Sequence, residues 1–388
     1  MENIIWSTGH QLKIGNIVDS DNCYLYDTNG NRFIDLESGV WCTSVGHNNK
    51  RINKVITAQI NKITHTGFCY CHPQIDETAK RILEITGIDK GKCEFLCSGS
   101  EAVEYGMRVA RKISEKPLAL TFSDSYFGAY GDAAAKNENR WHIYNWLDCS
   151  CKNESGCTGD CEDFQKIPFE DIGIFLFEPG SSSGLVRFPP NRLIKKIVLR
   201  IKENNGVVMA NEITTGIGRT GKWFGYQHYD FVPDVVAIGK GIGNGYPVSI
   251  TVISDEIAGK LENTGFLYSQ SHQNDPLGAV VANEVIAMVS EEKLLKKSSE
   301  QGEWLMNSIR QLDPQKKIIK EVRGRGLMIV VEFHRNAHAV YEELLKRAII
   351  VAKRSNAEAL RIDPALTIKK ETLELFIDAM REIIEMNS

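Results

Sequence analysis

Residues 207–247 read VVMANEITTGIGRTGKWFGYQHYDFVPDVVAIGKGIGNGYP. Two apolar, strand-sized runs, Val207–Ala210 and Val235–Ile238, end abruptly, the first on Asn211 and the second on Gly239 and Lys240. Short runs of this kind without polar alternation fit strands buried on both faces of a parallel sheet. Ligands of open α/β sheets bind beyond the carboxyl ends of the strands, so the residues that follow such runs are the candidates for chemistry. Three runs upstream repeat the pattern. Cys93–Cys97 leads into Ser98-Gly99-Ser100, Pro117–Phe122 into residues 123–128, and Ile172–Phe177 into Glu178. All of these strand ends are expected to converge on one crevice.

Lys240 is the foremost reactive group in this set. A lysine at a strand end, flanked by glycines, is partly desolvated and lies beside space for a ligand, which suits imine chemistry with a carbonyl. Ser98 to Glu101 lie between a strand and an expected helix over 100–112. Helix N-terminal N–H groups with small hydroxyls make an anion cradle, while a plain N-cap would use only one of the serines. Gly216, Gly218 and Gly221 have the spacing of a dinucleotide fingerprint. That reading is rejected, because the following KWFGYQHYD does not open a helix as the fingerprint requires.

Working outward, residues 24–36 read as two strands around the turn pair Asn29-Gly30. Beyond about Asn263 the texture changes. Helical periodicity appears over 294–312, a glycine-rich turn at Arg323–Gly326 leads into a strand, and Leu373, Phe376, Ile377, Met380, Ile383 and Ile384 form the apolar face of a closing helix. The 388 residues suffice for two domains. The expected division is an N-terminal segment, 1–45, that completes a small domain, a large domain over 46–285, and the C-terminal small domain over 286–388. A net charge of -4 gives no pull toward nucleic acid or anionic membrane. No apolar run approaches the ~18–20 residues that span a bilayer, and the opening MENIIWSTGHQLKIG does not resemble a secretory leader. A cytoplasmic protein acting on small molecules is expected.

Ten cysteines fit a reducing compartment. Four of them fall in LDCSCKNESGCTGDCEDF, residues 147–164: Cys149, Cys151, Cys157 and Cys161. Zn²⁺ or an iron–sulfur cluster is one reading, since both favour thiolates. Free or redox-active thiols are the other.

The stretch 211–247 closely resembles the central signature of class III aminotransferases, and the resemblance extends in order through GNRFIDLESGVWCTSVGH (30–47), LCSGSEAVEYGMRVARK (96–112), DSYFGAYG (124–131), FLFEPG (175–180), VRGRGLMIVVEF (322–333) and LRIDPALTI (360–368). It implies an α/β fold, the fold-type I transferase dependent on pyridoxal 5'-phosphate, with a mainly parallel seven-stranded sheet in the large domain and a smaller α+β domain. It further implies amine and 2-oxo acid substrates exchanged in a ping-pong cycle by a homodimer. Lys240 would hold the cofactor as an imine. Ser98, Gly99 and Ser100 would take its phosphate, Tyr126 and Phe127 would contact it with the Tyr126 ring stacked on the pyridine, and Ile213 would pack on the opposite face. Glu178 would lie close behind, and Ser271 would reach the phosphate of the neighbouring subunit. Arg361 stands where the family binds a substrate carboxylate. Trp41 lines the substrate pocket by resemblance or is a core aromatic, and both readings stay open.

Three positions depart from the pattern. Asn211 replaces the aspartate that keeps the pyridine nitrogen protonated. This points to an introduced substitution, to a reaction less dependent on the ring as electron sink, or to a weakly active relative. Racemisation, epimerisation and intramolecular amino transfer on the same site are the alternative reactions. Thr214 replaces the glutamine that contacts the cofactor's phenolic oxygen in ornithine-type members. Ser183 replaces the glutamate that pairs with the carboxylate-binding arginine, so Arg361 is expected to be permanently available.

Overall fold

The computed structural model describes residues 3–10, 12–67, 69–150, 157–182, 185–354 and 357–386. Near the N-terminus, β1 (Ile17–Asp21), β2 (Tyr24–Asp27) and β3 (Arg32–Asp35) form an antiparallel meander, turning at the expected Asn29-Gly30. β3 then pairs in parallel with β13 (Ile349–Ile350), Ile34 opposite Ile349, so the N-terminal strands join the C-terminal third of the chain.

The large sheet contains β4 (Lys92–Leu96), β5 (Leu118–Phe122), β6 (Trp141–Tyr144), β7 (Ile172–Phe177), β8 (Val207–Asn211), β9 (Val235–Ile238) and β10 (Ser249–Ile253), in the order β4-β10-β9-β8-β7-β5-β6. Only β10 is antiparallel, to both β4 and β9. The carboxyl ends of the other strands therefore open on one side. The five runs picked out in the sequence match strands to within one residue. Neither β6, at the sheet's edge, nor β10 was singled out. Every residue of β7 and β8 is buried, as central strands covered on both faces require.

Helices Gly99–Ile113, Asn191–Glu203 and Pro276–Glu291 cover the sheet and its flank. Pro276–Glu291 is apolar around most of its circumference and runs unbroken through residue 285. The expected domain border thus falls inside a helix. β11 (Ile319–Arg325), β12 (Met328–Phe333), β14 (Ala352–Lys353) and β15 (Ala359–Ile362) form a second four-stranded sheet, order β11-β12-β15-β14. Leu294–Leu312 and Lys370–Met386 pack together on this side.

The rejected dinucleotide stretch has a structural task. It contains no helix before residue 225, and Gly218 and Gly221 adopt φ 85° and 87°. Arg219 within it is buried and donates to the carbonyls of Leu327 and Pro364, tying the loop to the C-terminal part. Glu212 pins its base, accepting from Thr215 Oγ1 at 2.7 Å, Gly225 N at 2.7 Å and Tyr226 N at 2.8 Å.

Candidate active site

Lys240 begins the 3-10 turn Lys240–Gly243 just after β9. Its backbone sits at φ 46°, in the left-handed region that costs a side chain about 1–2 kcal/mol. The turn is held by Ser44 Oγ, which donates to Gly241 O at 2.8 Å. Burial lowers the pKa of the half-buried Lys240 amine, with Cys42 and Glu178 opposing that shift.

The N-terminus of helix Gly99–Ile113 lies against this turn. A Cβ on Gly239 would come within 2.9 Å of Ile213 Cδ1 and 3.3 Å of Gly99 Cα, and a Cβ on Gly99 would meet Ile213 Cγ2 at 2.9 Å. Only glycines let helix, strand end and Ile213 approach so closely. Ser98 is the N-cap: its Oγ accepts from Glu101 N at 3.2 Å, and Glu101 Oε2 accepts from Ser98 N at 2.9 Å. Its hydroxyl oxygen thus caps the helix, and its O–H proton remains able to donate to an anion. Gly99 and Ser100 remain as first-turn N–H donors with no intrahelical acceptor. Ser100 Oγ accepts from Ala129 N at 3.0 Å, fixing the 125–131 loop above the helix end.

A continuous hydrogen-bonded chain joins most of the other expected residues. Asn211 Nδ2 donates to Tyr126 O at 3.1 Å, and Asn211 Oδ1 accepts from Ile213 N at 3.2 Å. Tyr126 N donates to Glu178 Oε2 at 3.1 Å, and Ser182 Oγ donates to Glu178 Oε1. Burial pushes the Glu178 carboxyl up to about 7. Ser182 O in turn accepts from Arg361 Nη1 at 2.9 Å and from Arg354 Nη2. Tyr126 is 47% exposed. Phe127 is different: its ring is buried in the core, 6.3 Å from Trp141 and roughly parallel to it, so the structure does not bring it to the crevice.

Arg361 corrects an expectation. The guanidinium is 1% exposed and not free: Asp363 Oδ2 accepts from Nε at 3.1 Å and Asp363 Oδ1 from Nη2 at 2.9 Å. A buried cation requires a counter-charge, and Asp363 supplies it. Of the five N–H donors, three are thus engaged with Asp363 and Ser182. One N–H on each terminal nitrogen remains, enough to grip a carboxylate. Ser183 lies outside the described residues.

Trp41 is half-buried at the centre of three cations. Its ring lies 4.2 Å from Arg361 Cζ, 5.0 Å from Lys240 Nζ and 5.7 Å from Arg354 Cζ. That placement lies at the crevice, not in the core. Arg354 was missed in the sequence, because only the pairing of β14 with β15 carries the end of β14 to Trp41. Burial and the neighbouring Arg361 lower its pKa to about 10. Trp41 ends a left-handed turn in which Ser38, Gly39, Val40 and Trp41 have φ 43°, 58°, 58° and 68°. Asp35 braces the turn, accepting from Glu37 N at 2.8 Å and Gly39 N at 3.0 Å. Ser38 Oγ bonds Asp363 O at 2.6 Å, linking the turn to the arginine's partner.

The residues present fit pyridoxal phosphate. The glycine-lined helix end beside Lys240 is a cradle that a Cβ would fill, and the Thr214 hydroxyl, expected near the phenolic oxygen, is buried without a hydrogen-bond partner among the described residues. Ser271 is exposed on the 264–275 loop, and among the described residues no hydrogen bond joins it to this cluster. Cys149, Cys157 and Cys161 gather elsewhere, in the loop after β6, with sulfurs within 4.8 Å of one another. Cys151 lies outside the described residues.

Comparison with known proteins places these features. The chain is 28% identical to the leucine/methionine racemase of Thermococcus litoralis over 95% of this chain and 90% of that protein. It is 27% identical to the [LysW]-aminoadipate semialdehyde/glutamate semialdehyde transaminase of Sulfolobus acidocaldarius, covering 94% of each. It is 28% identical to the acetylornithine aminotransferase of Aquifex aeolicus, covering 93% of this chain and 94% of that one. Among solved structures, a Bacillus anthracis aminotransferase superposes with a TM-score of 0.91 at 21% identity, over 99% of this chain and 97% of the other. An S-selective transaminase from Arthrobacter sp. with alanine bound gives 0.87 at 21%, over 98% and 96%. The aminotransferase class-III profile matches residues 6–384. Spanning almost the whole chain and every strand end that meets at Lys240, that match establishes that the chain belongs to the class III aminotransferases, pyridoxal-phosphate enzymes of fold type I.

Proposed function

We propose that this enzyme moves an amino group from an amine or ω-amino acid donor to a 2-oxo acid, in two half-reactions at one site. The observation that carries this reading is a desolvated lysine facing two arginines across one indole ring. Pyridoxal phosphate, when bound, supplies the aldehyde that takes the amine and the ring that accepts the electron pair released at the substrate carbon. Lys240 is its attachment point. Once displaced, Lys240 Nζ takes the proton from the substrate's amine-bearing carbon and later returns one. Burial favours the neutral amine that this step needs. Gly99 and Ser100 N–H groups hold the phosphate at the helix N-terminus. Asn211 gives the ring nitrogen an uncharged partner, and Arg361 with Arg354 orients the oxo acid's carboxylate against Trp41.

A homodimer completes the site, with Ser271 reaching the neighbour's phosphate. An exposed apolar residue on the same loop supports this: Leu267 is 85% exposed. The His65 ring packs against His272 of this loop, centroids 4.9 Å apart. No helix among the described residues is long and apolar enough to cross a membrane. The cysteine content supports a cytoplasmic setting.

A panel of amines and 2-oxo acids, read by absorbance of the holoenzyme, tests the function. An effective donor alone bleaches the absorption of the bound aldehyde, and a 2-oxo acid restores it. A panel in which no donor bleaches that band defeats the transaminase reading. Racemisation or intramolecular amino transfer is a second reading, favoured by the neutral Asn211 and by the racemase among the relatives. Turnover of one substrate with no acceptor would select it.

A further inference from the structure

The loop between β6 and β7 carries side chains that amino transfer does not use. Cys149, Cys157 and Cys161 are all buried, and their Sγ atoms lie within 4.8 Å of one another. We propose that these three sulfurs hold one Zn²⁺ ion that cross-links the loop. Zn–S bonds of about 2.3 Å in tetrahedral geometry place the sulfurs of one ion about 3.8 Å apart, so small side-chain rotations close the site. A [4Fe–4S] cluster binds each thiolate on a separate iron and a [2Fe–2S] cluster takes two per iron, so three sulfurs drawn this close fit a single ion better. Calcium and magnesium prefer oxygen ligands.

The surroundings suit thiolates on a dication. Tyr144, at the end of β6, brings its hydroxyl to 3.1 Å from Cys157 Sγ and 3.7 Å from Cys161 Sγ, where it donates to sulfur and ties the ion to the sheet edge. Three thiolates leave a net negative charge on the site. Two cations stand nearby: Asp160, next to Cys161, pairs with Arg192 at 2.8 Å and with Lys196, both from helix Asn191–Glu203. Phe164, Ile167, Ile194 and Ile197 belong to the same apolar core cluster as the three cysteines, and a water takes the fourth position of the tetrahedral ion. The chain between β6 and β7 has only the single helical turn Glu162–Gln165 among its described residues, so a metal supplies order that regular structure does not. His65, His272 and Asp275 also approach one another, but on the surface, where the two histidines pair with Asp275 at 2.6 and 2.8 Å.

Holoenzyme purified without chelator, with C157S, C161S and the exposed-thiol control C69S, is analysed for zinc and iron by plasma mass spectrometry. About one zinc per chain is expected in wild type and C69S, falling below about a tenth in C157S and C161S. Because the two buried variants can unfold, wild-type protein is also reconstituted with Co²⁺, and a sulfur-to-cobalt charge-transfer band with tetrahedral d–d absorption is expected. Zinc that survives both substitutions, iron in its place, a cobalt form without the sulfur band, or metal-free protein, with or without a disulfide among the three, overturns the proposal.

Discussion

Asn211 is fixed by two bonds that an aspartate reproduces only in part. Its Oδ1 accepts from Ile213 N, which a carboxylate also does, but its Nδ2 donates to Tyr126 O, which a carboxylate does not. Asn211→Asp therefore sets a carboxylate oxygen against a carbonyl in the cofactor-free protein. We expect a loss of about 1–3 kcal/mol in that form, measured by denaturant unfolding. With cofactor bound, the new charge pairs with a protonated ring nitrogen, and the donor half-reaction should accelerate about tenfold, or 1.4 kcal/mol of barrier, in stopped-flow absorbance. An unchanged or slower half-reaction would refute the role given to this residue. Arg354 makes a separate prediction. Removing one guanidinium from a carboxylate site costs about 1.5–3 kcal/mol, so Arg354→Ala should raise KM for the oxo acid at least about tenfold and leave the holoenzyme spectrum unaltered. An unaffected KM would remove Arg354 from the site.

Elements explain which features were legible in the sequence. Buried parallel strands announce themselves as unbroken apolar runs, so Val207–Ala210, Val235–Ile238 and their neighbours, with Lys240, Glu178 and Asn211 at their ends, could be read directly. The edge strand β6, half polar, gave no such run. Features made by tertiary approach stayed hidden. Nothing in Ser-Gly-Val-Trp signals a left-handed turn, since valine and tryptophan disfavour it; the neighbouring Asp35 side chain and the backbone carbonyl of distant Asp363 hold it. The pairing of Arg361 with Asp363 was in principle visible in LRID, as two opposite charges leaving one strand, yet burial is what makes it obligatory. The turn is also testable. Val40 is 52% exposed at φ 58°, so it contributes little burial and carries the strain of a β-branched residue. Val40→Gly should raise stability by about 1 kcal/mol, seen as a higher Tm. A lower Tm would mean that the valine side chain holds the turn.

At the scale of the whole molecule, the proposed homodimer predicts that Ser271 of a second chain completes the site. Sedimentation should find a dimer, and Ser271→Ala should weaken cofactor binding. Co-expressed K240A and S271A chains make the sharper test. If Ser271 serves the neighbour, the mixed dimer carries one fully wild-type site, and cofactor affinity there equals that of wild type. If Ser271 acts within its own chain, the site that keeps Lys240 retains the S271A defect. Beneath all of this lies the convergence of strand ends on one amine. Borohydride reduction of the holoenzyme followed by peptide mapping should place the pyridoxyl label on Lys240 alone. A label on another lysine, or no label on any, would contradict the assignment of this crevice.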